Sequence, residues 1–118
     1  HKLPIVRFAA EDGKIRVVHP EGIALGFDKG PVFDSTLKVQ KIPVDRGDRI
    51  VVSTTGSVRV KNADGAELGE KAFYRSVLQH AKAPCEAMLE SVKADLEAHA
   101  DGEAFPNDIS IVALARDA

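Results

Sequence analysis

The hydrophobic pattern of the chain changes its period at Gly69, and this change restricts the fold more than any other sequence feature. Upstream of Gly69, apolar residues form short runs rich in β-branched side chains, which is typical of strands. From Gly69 to Ala100 they recur at three- and four-residue steps, as in amphipathic helices. Ile109 to Ala115 is β-rich again. This order predicts an α+β fold, with a mostly antiparallel sheet and two helices packed on one face.

The first half of the chain is predicted to contain two hairpins. Ile5 to Ala9 and Lys14 to Val18 are short β-rich runs joined through "AEDGK", and Asp-Gly between apolar runs is a strong hairpin signal. Leu37 to Val44 and Arg49 to Thr54 are separated by "DRGD", where glycine suits a tight turn. The segment from Glu21 to Ser35 is rich in glycine and has little periodicity, which predicts a long surface loop.

The remaining elements are predicted from runs of apolar residues. "RIVVST" is apolar at consecutive positions, which favours a central strand covered on both faces. One helix is predicted from Gly69 to about His80, and a second from Pro84 to Ala100. Ile109 to Ala115 is predicted to be a buried last strand. At 118 residues the chain suits one domain with a modest core, so residues 1–118 are predicted to form a single domain.

Composition disfavours several kinds of partner. The formal net charge is −2, from 16 basic and 18 acidic residues, so no excess of positive charge favours nucleic acid or an anionic membrane. No apolar run approaches the ~20 residues that span a bilayer, and the N-terminus lacks the zones of a signal peptide. A cytoplasmic location is therefore expected. The chain begins at His1 without methionine, which suggests a trimmed fragment.

The common catalytic signatures are absent from the sequence. It contains no G-x-S-x-G elbow, no G-x-x-x-x-G-K phosphate loop and no G-x-G-x-x-G after a strand. The four histidines lack metal-ligand spacing and are interpreted as surface or structural residues. Cys85, the only cysteine, is interpreted as a buried small hydrophobe. Asp48 in "GDR" and Asp64 in "NADG" are expected to bond nearby backbone amides within turns.

Polar residues lie at the ends of two predicted strands. Thr54, Thr55 and Gly56 follow one strand, and Asn107 and Asp108 precede another, so pairing of these strands would bring the five residues together. Oxygen ligands at such a place suit a hard divalent cation, but the only carboxylate is that of Asp108. From the residues alone, a structural pair of loops is favoured, and a metal site remains the alternative.

Four stretches, taken in order, resemble one family. "HKLPIVRF" resembles the run after Ala-Gly in an A-G-H-x-P strand, and "GIALGF" resembles a G-x-x-L-G loop. "VDRGDRIVVSTTGSVRVKNADGAELGEKAF" resembles a pattern built on G-D, T-D-G and a later N-x-x-G, and "FPNDISIVALA" resembles a terminal D-D-h-T strand, where h is hydrophobic. Over nearly its whole length, the chain resembles the C-terminal half of the PPM-type serine/threonine phosphatases of the bacterial stage II sporulation protein E (SpoIIE) branch.

The resemblance implies a site for two Mn²⁺ or Mg²⁺ ions, which in active relatives activate a water that attacks a phosphoserine or phosphothreonine. Two metal-binding aspartates of the family fall on Thr55 and Asn107, and the acid after T-D-G falls on Arg59. The other family ligands belong to its N-terminal half. Losing two anionic ligands predicts weak metal binding. Asp108 is adjacent, but a one-residue shift at a strand start turns a side chain to the other face.

The resemblance implies functions from two classes. The first is a metal-dependent protein serine/threonine phosphatase with impaired or lost catalysis, acting on a phosphorylated regulatory protein or a partner of the anti-sigma-factor antagonist type. The second is a non-enzymatic module that binds a regulatory partner. An unrelated α+β domain with similar turns is a third interpretation. The complete family fold is a sandwich of two sheets with flanking helices, so the fragment alone would expose sheet edges and is expected to form a homodimer or larger assembly.

Overall fold

The computed structural model describes residues 5–18 and 41–117, and within these ranges the chain forms four strands, one short 3₁₀ turn and two α-helices. The bounds of the elements are β1 Ile5–Ala9, β2 Lys14–Val18, β3 Arg49–Ser53, the 3₁₀ turn Thr55–Ser57, α1 Glu70–His80, α2 Cys85–Ala100 and β4 Ile111–Ala115. The strands form an antiparallel sheet in the order β2-β1-β3-β4. The predicted α+β class and both predicted helices are confirmed.

The first predicted hairpin is confirmed, and the second is wrong. β1 and β2 are paired, with Val6 opposite Val17. Residues 41–44 form no strand, because their predicted partner β3 has β1 along one edge and β4 along the other. Residues 37–40 and the predicted loop from Glu21 to Ser35 lie outside the described part of the chain.

The helices pack on one face of the sheet. On β3 that face carries Arg49, Val51 and Ser53, which are buried, while Ile50 and Val52 on the opposite face are half-buried. β3 is therefore central, as its sequence predicts. In the described part of the chain, α1 and α2 contribute their core residues to one face, and the opposite face, which was also predicted to be covered, is half-buried.

The hydrophobic core lies between this sheet face and the two helices. Its buried residues come from each layer and include Val6, Phe8 and Val51 of the sheet, Phe73 and Val77 of α1, and Met88, Val92 and Leu96 of α2. The α2 residues recur at four-residue steps, as expected for one face of a helix. Cys85, predicted to be buried, is only half-buried, because it lies in the first turn of α2, before the first core residue of that helix.

Polar contacts also join the two helices. Ser76 Oγ donates a hydrogen bond to Asp95 Oδ2 at 2.6 Å, and His80 Nε2 lies 3.1 Å from the same oxygen. His99 Nε2 lies 2.9 Å from the carbonyl oxygen of Ala66. These two histidines therefore make structural contacts, in agreement with their interpretation as surface or structural residues. The other two histidines of the chain lie outside the described ranges.

A buried ion pair connects β1 to the turn before β3. The Asp48 side chain is 1% exposed and accepts hydrogen bonds from the N–H groups of Ala10 at 3.0 Å and Asp45 at 2.9 Å. Its Oδ2 also accepts from Arg7 Nη2 at 2.8 Å and Nε at 3.2 Å. Burial by itself raises the pKa of Asp48, but the hydrogen bonds from Ala10, Arg7 and Asp45 outweigh it and lower the pKa to about 2. The sequence predicted the bonding to nearby amides but not the pair with Arg7.

The "NADG" turn is stabilised by a different residue from the one predicted. Asn62 Oδ1 accepts hydrogen bonds from the N–H groups of Asp64 at 3.0 Å and Ala66 at 2.9 Å. Asp64 thus contributes its backbone N–H to the turn, whereas its side chain was expected to be the acceptor. Asn62 takes that role because it comes first in the turn, where an amide side chain reaches the backbone two residues on.

β4 is shorter and more exposed than predicted. It begins at Ile111 rather than Ile109, and Val112 and Leu114 are 58% and 61% exposed. In the part of the sheet that the structure describes, β4 pairs only with β3. Successive residues of a strand point to opposite faces, and the helices pack on one face alone, so alternate residues of β4 remain exposed.

The edge formed by β4 is expected to cause self-association of the chain. β2, the other edge strand among the described residues, carries Lys14 and Arg16, whereas β4 has no charged residue within its bounds. Charges on an edge strand oppose pairing with a second sheet. Sedimentation of the 118-residue chain at high concentration should therefore show a dimer or larger assembly, and Val112→Lys should shift it toward the monomer. A strictly monomeric profile for the native chain would contradict this prediction.

Candidate functional site

The chain leaves β3 through a tight polar turn. Thr54 is extended, with φ −73° and ψ 158°, and residues 55–57 then form the 3₁₀ turn. The hydroxyl oxygens of Ser53 and Ser57 are 2.7 Å apart, and Ser57 Oγ donates a hydrogen bond to the carbonyl oxygen of Thr54 at 3.0 Å. Buried polar groups need such partners, and these bonds provide them within the turn. The turn is therefore held by its own side chains.

The segment before β4 packs directly against this turn. The Thr54 N–H donates to the carbonyl oxygen of Ser110 at 3.0 Å, and the Ser110 N–H donates to Thr54 Oγ1 at 3.0 Å. A Cβ atom added to Gly56 would lie 2.5 Å from the carbonyl oxygen of Asp108 and 3.3 Å from Asn107 Cβ. The structure therefore brings together the two strand ends that the sequence analysis singled out, and only glycine fits at position 56. We call this contact the strand-end junction.

The side chains at the strand-end junction are a poor set of ligands for a divalent cation. Thr55 is half-buried and offers a neutral hydroxyl, while Asn107 and Asp108 are exposed and offer one amide and one carboxylate. Among residues 5–18 and 41–117, no three His, Cys, Asp or Glu side chains are grouped closely enough to hold a metal ion. Mg²⁺ and Mn²⁺ sites depend on anionic oxygen ligands. The residues present do not by themselves fit such a site.

The charge that follows the turn is positive. Arg59 comes two residues after the 3₁₀ turn, its N–H donates to the carbonyl oxygen of Gly56 at 3.2 Å, and its side chain is exposed. A fixed positive charge near the junction repels a metal cation and attracts an anion. The backbone of Arg59 thus lies beside the turn, at the position where the family pattern has an acidic residue.

A groove of about 360 Å³ opens beside Asn107 and Asp108. Most of its other lining residues are apolar and come from α2, the segment before β4 and β4 itself: Leu89, Leu96, Phe105, Ile109 and Ile111. Lys93 of α2 also lines it. The volume lies within the usual range of ligand pockets. The position of α2 beside the junction was not predicted from the sequence. Phe105, an aromatic residue within the otherwise polar return "DGEAFPND", is the sequence feature that could have indicated an apolar groove there.

The family assignment follows from a comparison over the whole sequence. A family model described as stage II sporulation protein E (SpoIIE) matches residues 1–117. The chain belongs to the stage II sporulation protein E family. The resemblance drawn from four separate stretches is therefore confirmed, and the interpretation as an unrelated α+β domain is excluded. No curated protein sequence matches this member of the family.

A solved structure shares the fold of this SpoIIE family member. The structure is the SiaA-PP2C domain of Pseudomonas aeruginosa, with a TM-score of 0.75 and 18% sequence identity. The match covers 98% of the present chain but 44% of the other one, so the present chain spans less than half of that length. The likeness confirms the predicted fold, part of a PPM-type α+β architecture. That residues 1–118 form a single domain remains a prediction.

Proposed function

We propose that the chain is part of a SpoIIE-type protein serine/threonine phosphatase domain whose hydrolytic activity is impaired or lost. This proposal is based on the chemistry of the strand-end junction. The family pattern has metal-binding aspartates at the positions of Thr55 and Asn107, and neither residue carries a charge. Metal ions in phosphatases activate the attacking water and stabilise the charge that develops on the phosphoryl group. A junction that binds them weakly supports little hydrolysis.

The geometry of Asp108 argues against a replacement ligand. The atom of Asp108 that lies closest to a Cβ added on Gly56 is its carbonyl oxygen, at 2.5 Å. The residue also lines the groove beside α2. Asp108 thus meets the turn through its backbone, and its side chain is exposed. One exposed carboxylate is in any case too little charge for a tightly held Mn²⁺.

Restoring both aspartates should raise phosphatase activity. The assay is hydrolysis of a phosphoserine peptide in Mn²⁺ by the natural protein that contains this chain, beside its Thr55→Asp/Asn107→Asp variant. We expect the restored variant to be faster by at least roughly tenfold, since each tenfold step needs only ~1.4 kcal/mol of transition-state stabilisation. Gln79→Glu is the control, because it adds a negative charge at an exposed position of α1 that does not belong to the junction. A native protein as fast as the restored one contradicts the proposal.

Binding of a partner without hydrolysis is the second candidate function. It is supported by the exposed Arg59, whose backbone lies beside the turn, and by the groove next to Asn107 and Asp108. Arg59 offers a positive charge, and the groove offers an apolar surface. The partner would be a phosphorylated regulatory protein or an anti-sigma-factor antagonist type protein in bacterial signalling. A phosphopeptide that binds to the native protein, but is not cleaved in the hydrolysis assay, would support this function.

We further propose that the domain acts in the cytoplasm as part of a signal transduction pathway. In residues 5–18 and 41–117, no helix has the length and apolar character needed to cross a bilayer. The net charge of −2 adds no attraction to anionic lipids or nucleic acid.

A further inference from the structure

The groove of about 360 Å³ follows α2 for two helical turns. Leu89, Lys93 and Leu96 line it, and they form one stripe, because residues three or four apart are neighbours on a helix surface. Leu89 and Leu96 are roughly 10 Å apart along the helix axis. The rest of the lining comes from β4 and the segment before it, and includes Phe105, which is 37% exposed. The groove is therefore an elongated, mainly apolar surface that is open to solvent.

Negative charge lies along this groove. Asp108 is one of its lining residues. On α2, Glu97 Oε1 lies 3.8 Å from Lys93 Nζ, while Glu86 and Glu90 each come three residues before a lining residue and are therefore its neighbours on the helix surface. All four acidic residues are exposed, and Lys93 is the only lysine or arginine of α2. We call the four acidic residues the acidic rim.

The acidic rim accounts for the net negative charge of the chain. The whole chain has 16 basic and 18 acidic residues, and without the acidic rim and Lys93 it has 15 basic and 14 acidic residues. The excess of negative charge is thus concentrated beside the apolar groove. Charges around a binding surface select partners of complementary charge, and like charges that face each other are costly. The acidic rim therefore favours a basic partner and opposes docking of the same face of a second copy.

We propose that the groove binds a basic amphipathic helix of a partner protein, with apolar side chains in the groove and lysine or arginine side chains against the acidic rim. This inference rests on the partner-binding function proposed above and names the element of the partner that docks. A helix binds an apolar groove through side chains at positions i, i+3, i+4 and i+7. This spacing covers two turns, the same length as the stretch of α2 from Leu89 to Leu96.

The test is binding of a synthetic helical peptide to the natural protein that contains this chain, measured by fluorescence anisotropy. The lysine peptide has leucines at positions i, i+3, i+4 and i+7 and lysines on both sides of them, and the glutamate peptide has glutamates in place of the lysines. We expect the lysine peptide to bind at least roughly tenfold more tightly, and its affinity to fall as the salt concentration rises. Equal affinities of the two peptides, or no binding of the lysine peptide, would overturn the proposal.

The peptide experiment is separate from the tests of catalysis. Neither peptide carries a phosphate, so their binding does not depend on metal ions or on hydrolysis at the strand-end junction. A native protein that cleaves the phosphoserine peptide as fast as the restored variant would contradict the loss of catalysis. The affinity for the lysine peptide would still decide the inference about the groove.

Leu89→Ala tests the apolar surface of the groove, with Leu78→Ala as the matched control. Leu89 is half-buried and lines the groove, whereas Leu78 is a 38% exposed leucine of α1 that does not line it. We expect Leu89→Ala to weaken binding of the lysine peptide about tenfold, as for an apolar anchor at the centre of an interface, and Leu78→Ala to leave it unchanged. Equal losses in the two variants would show that the peptide does not use the groove.

Glu90→Lys tests the acidic rim without disturbing the core, because Glu90 is exposed. Its control is Glu11→Lys, an exposed site in the turn between β1 and β2. Reversal of one charge at Glu90 should weaken the lysine peptide about fivefold and strengthen binding of the glutamate peptide, while the control changes neither. No effect of Glu90→Lys on either peptide overturns the proposal. So does a change in sedimentation caused by Leu89→Ala when no peptide binds, because the groove then binds a second copy of the chain.

Discussion

Replacement of Asp48 by asparagine is expected to lower the free energy of unfolding by about 3–5 kcal/mol, the usual cost of removing one partner of a buried ion pair. The carboxylate of Asp48 accepts hydrogen bonds from the backbone of Ala10 and Asp45 and from two nitrogens of Arg7. Asparagine would turn an N–H₂ group toward some of these donors. It would also leave the guanidinium of Arg7, whose side chain is 14% exposed, without its closest anion. Urea unfolding of both proteins measures the difference.

The loss caused by Asp48→Asn should depend on pH. The folded-state pKa of Asp48 is about 2, below the value of about 3.9 of an unfolded aspartate. A carboxyl group with a lowered pKa stabilises the fold above the unfolded value, and the contribution is lost as the pH falls through the folded value. The difference between the native and variant proteins should therefore be complete at neutral pH. It should shrink between about pH 4 and about pH 2.

Asp45→Asn is the matched control for the ion pair. Asp45 Oδ2 lies 3.6 Å from the same nitrogen of Arg7, but the side chain is 69% exposed. Exposed ion pairs contribute little, so the control should lose less than about 1 kcal/mol. Equal losses for the two variants, or a loss for Asp48→Asn that is the same at every pH, would show that the buried ion pair does not hold β1 to this turn.

Replacement of Gly56 by alanine is expected to cost about 2–3 kcal/mol of stability and to separate the two strand ends. The added Cβ would lie 2.5 Å from the carbonyl oxygen of Asp108, and this oxygen belongs to the backbone. It can move only if the neighbouring hydrogen bonds between Thr54 and Ser110 are strained or broken. Urea unfolding measures the cost, and faster hydrogen exchange of the Ser110 amide reports the separation.

Gly65→Ala distinguishes a steric clash from the general cost of adding a side chain to glycine. A Cβ at Gly65 would have no atom within 4 Å, but its φ of +79° is unfavourable for alanine. The control should therefore lose about 1 kcal/mol from conformational strain alone. If Gly56→Ala costs no more than Gly65→Ala and leaves Ser110 protected, the two strand ends are not in the close contact described above.

The elements that carry local signals could be predicted from the sequence. Asp-Gly between two short runs predicted the hairpin of β1 and β2, and apolar residues at three- and four-residue steps predicted α2 almost to its ends. The meeting of Thr54–Gly56 with Asn107 and Asp108 was also predictable, because each lies at the end of a strand and the strands pair. For the hairpin and the helix, neighbouring residues along the chain contain the information, and the meeting of the strand ends follows once the two strands pair.

Features that depend on distant residues could not be predicted in this way. "DRGD" looked like a hairpin turn, but β3 pairs with β1 and β4, and the Asp48 of that turn bonds to Arg7, which is 41 residues away. The exposure of β4 was missed because an apolar run does not show whether helices cover one face or two. The groove combines side chains from α2 with residues next to a strand end. Such a combination is set by packing rather than by spacing in the sequence.

We expect the strand-end junction of this SpoIIE family member not to bind a divalent metal tightly. The decisive measurement is isothermal titration of Mn²⁺ into the natural protein that contains the chain, beside its Thr55→Asp/Asn107→Asp variant. We expect heat of binding in the variant and an affinity at least roughly tenfold weaker in the native protein, or ~1.4 kcal/mol in binding free energy. Equal affinities would contradict this expectation, because Asp108 or residues outside this chain would then supply the missing charge.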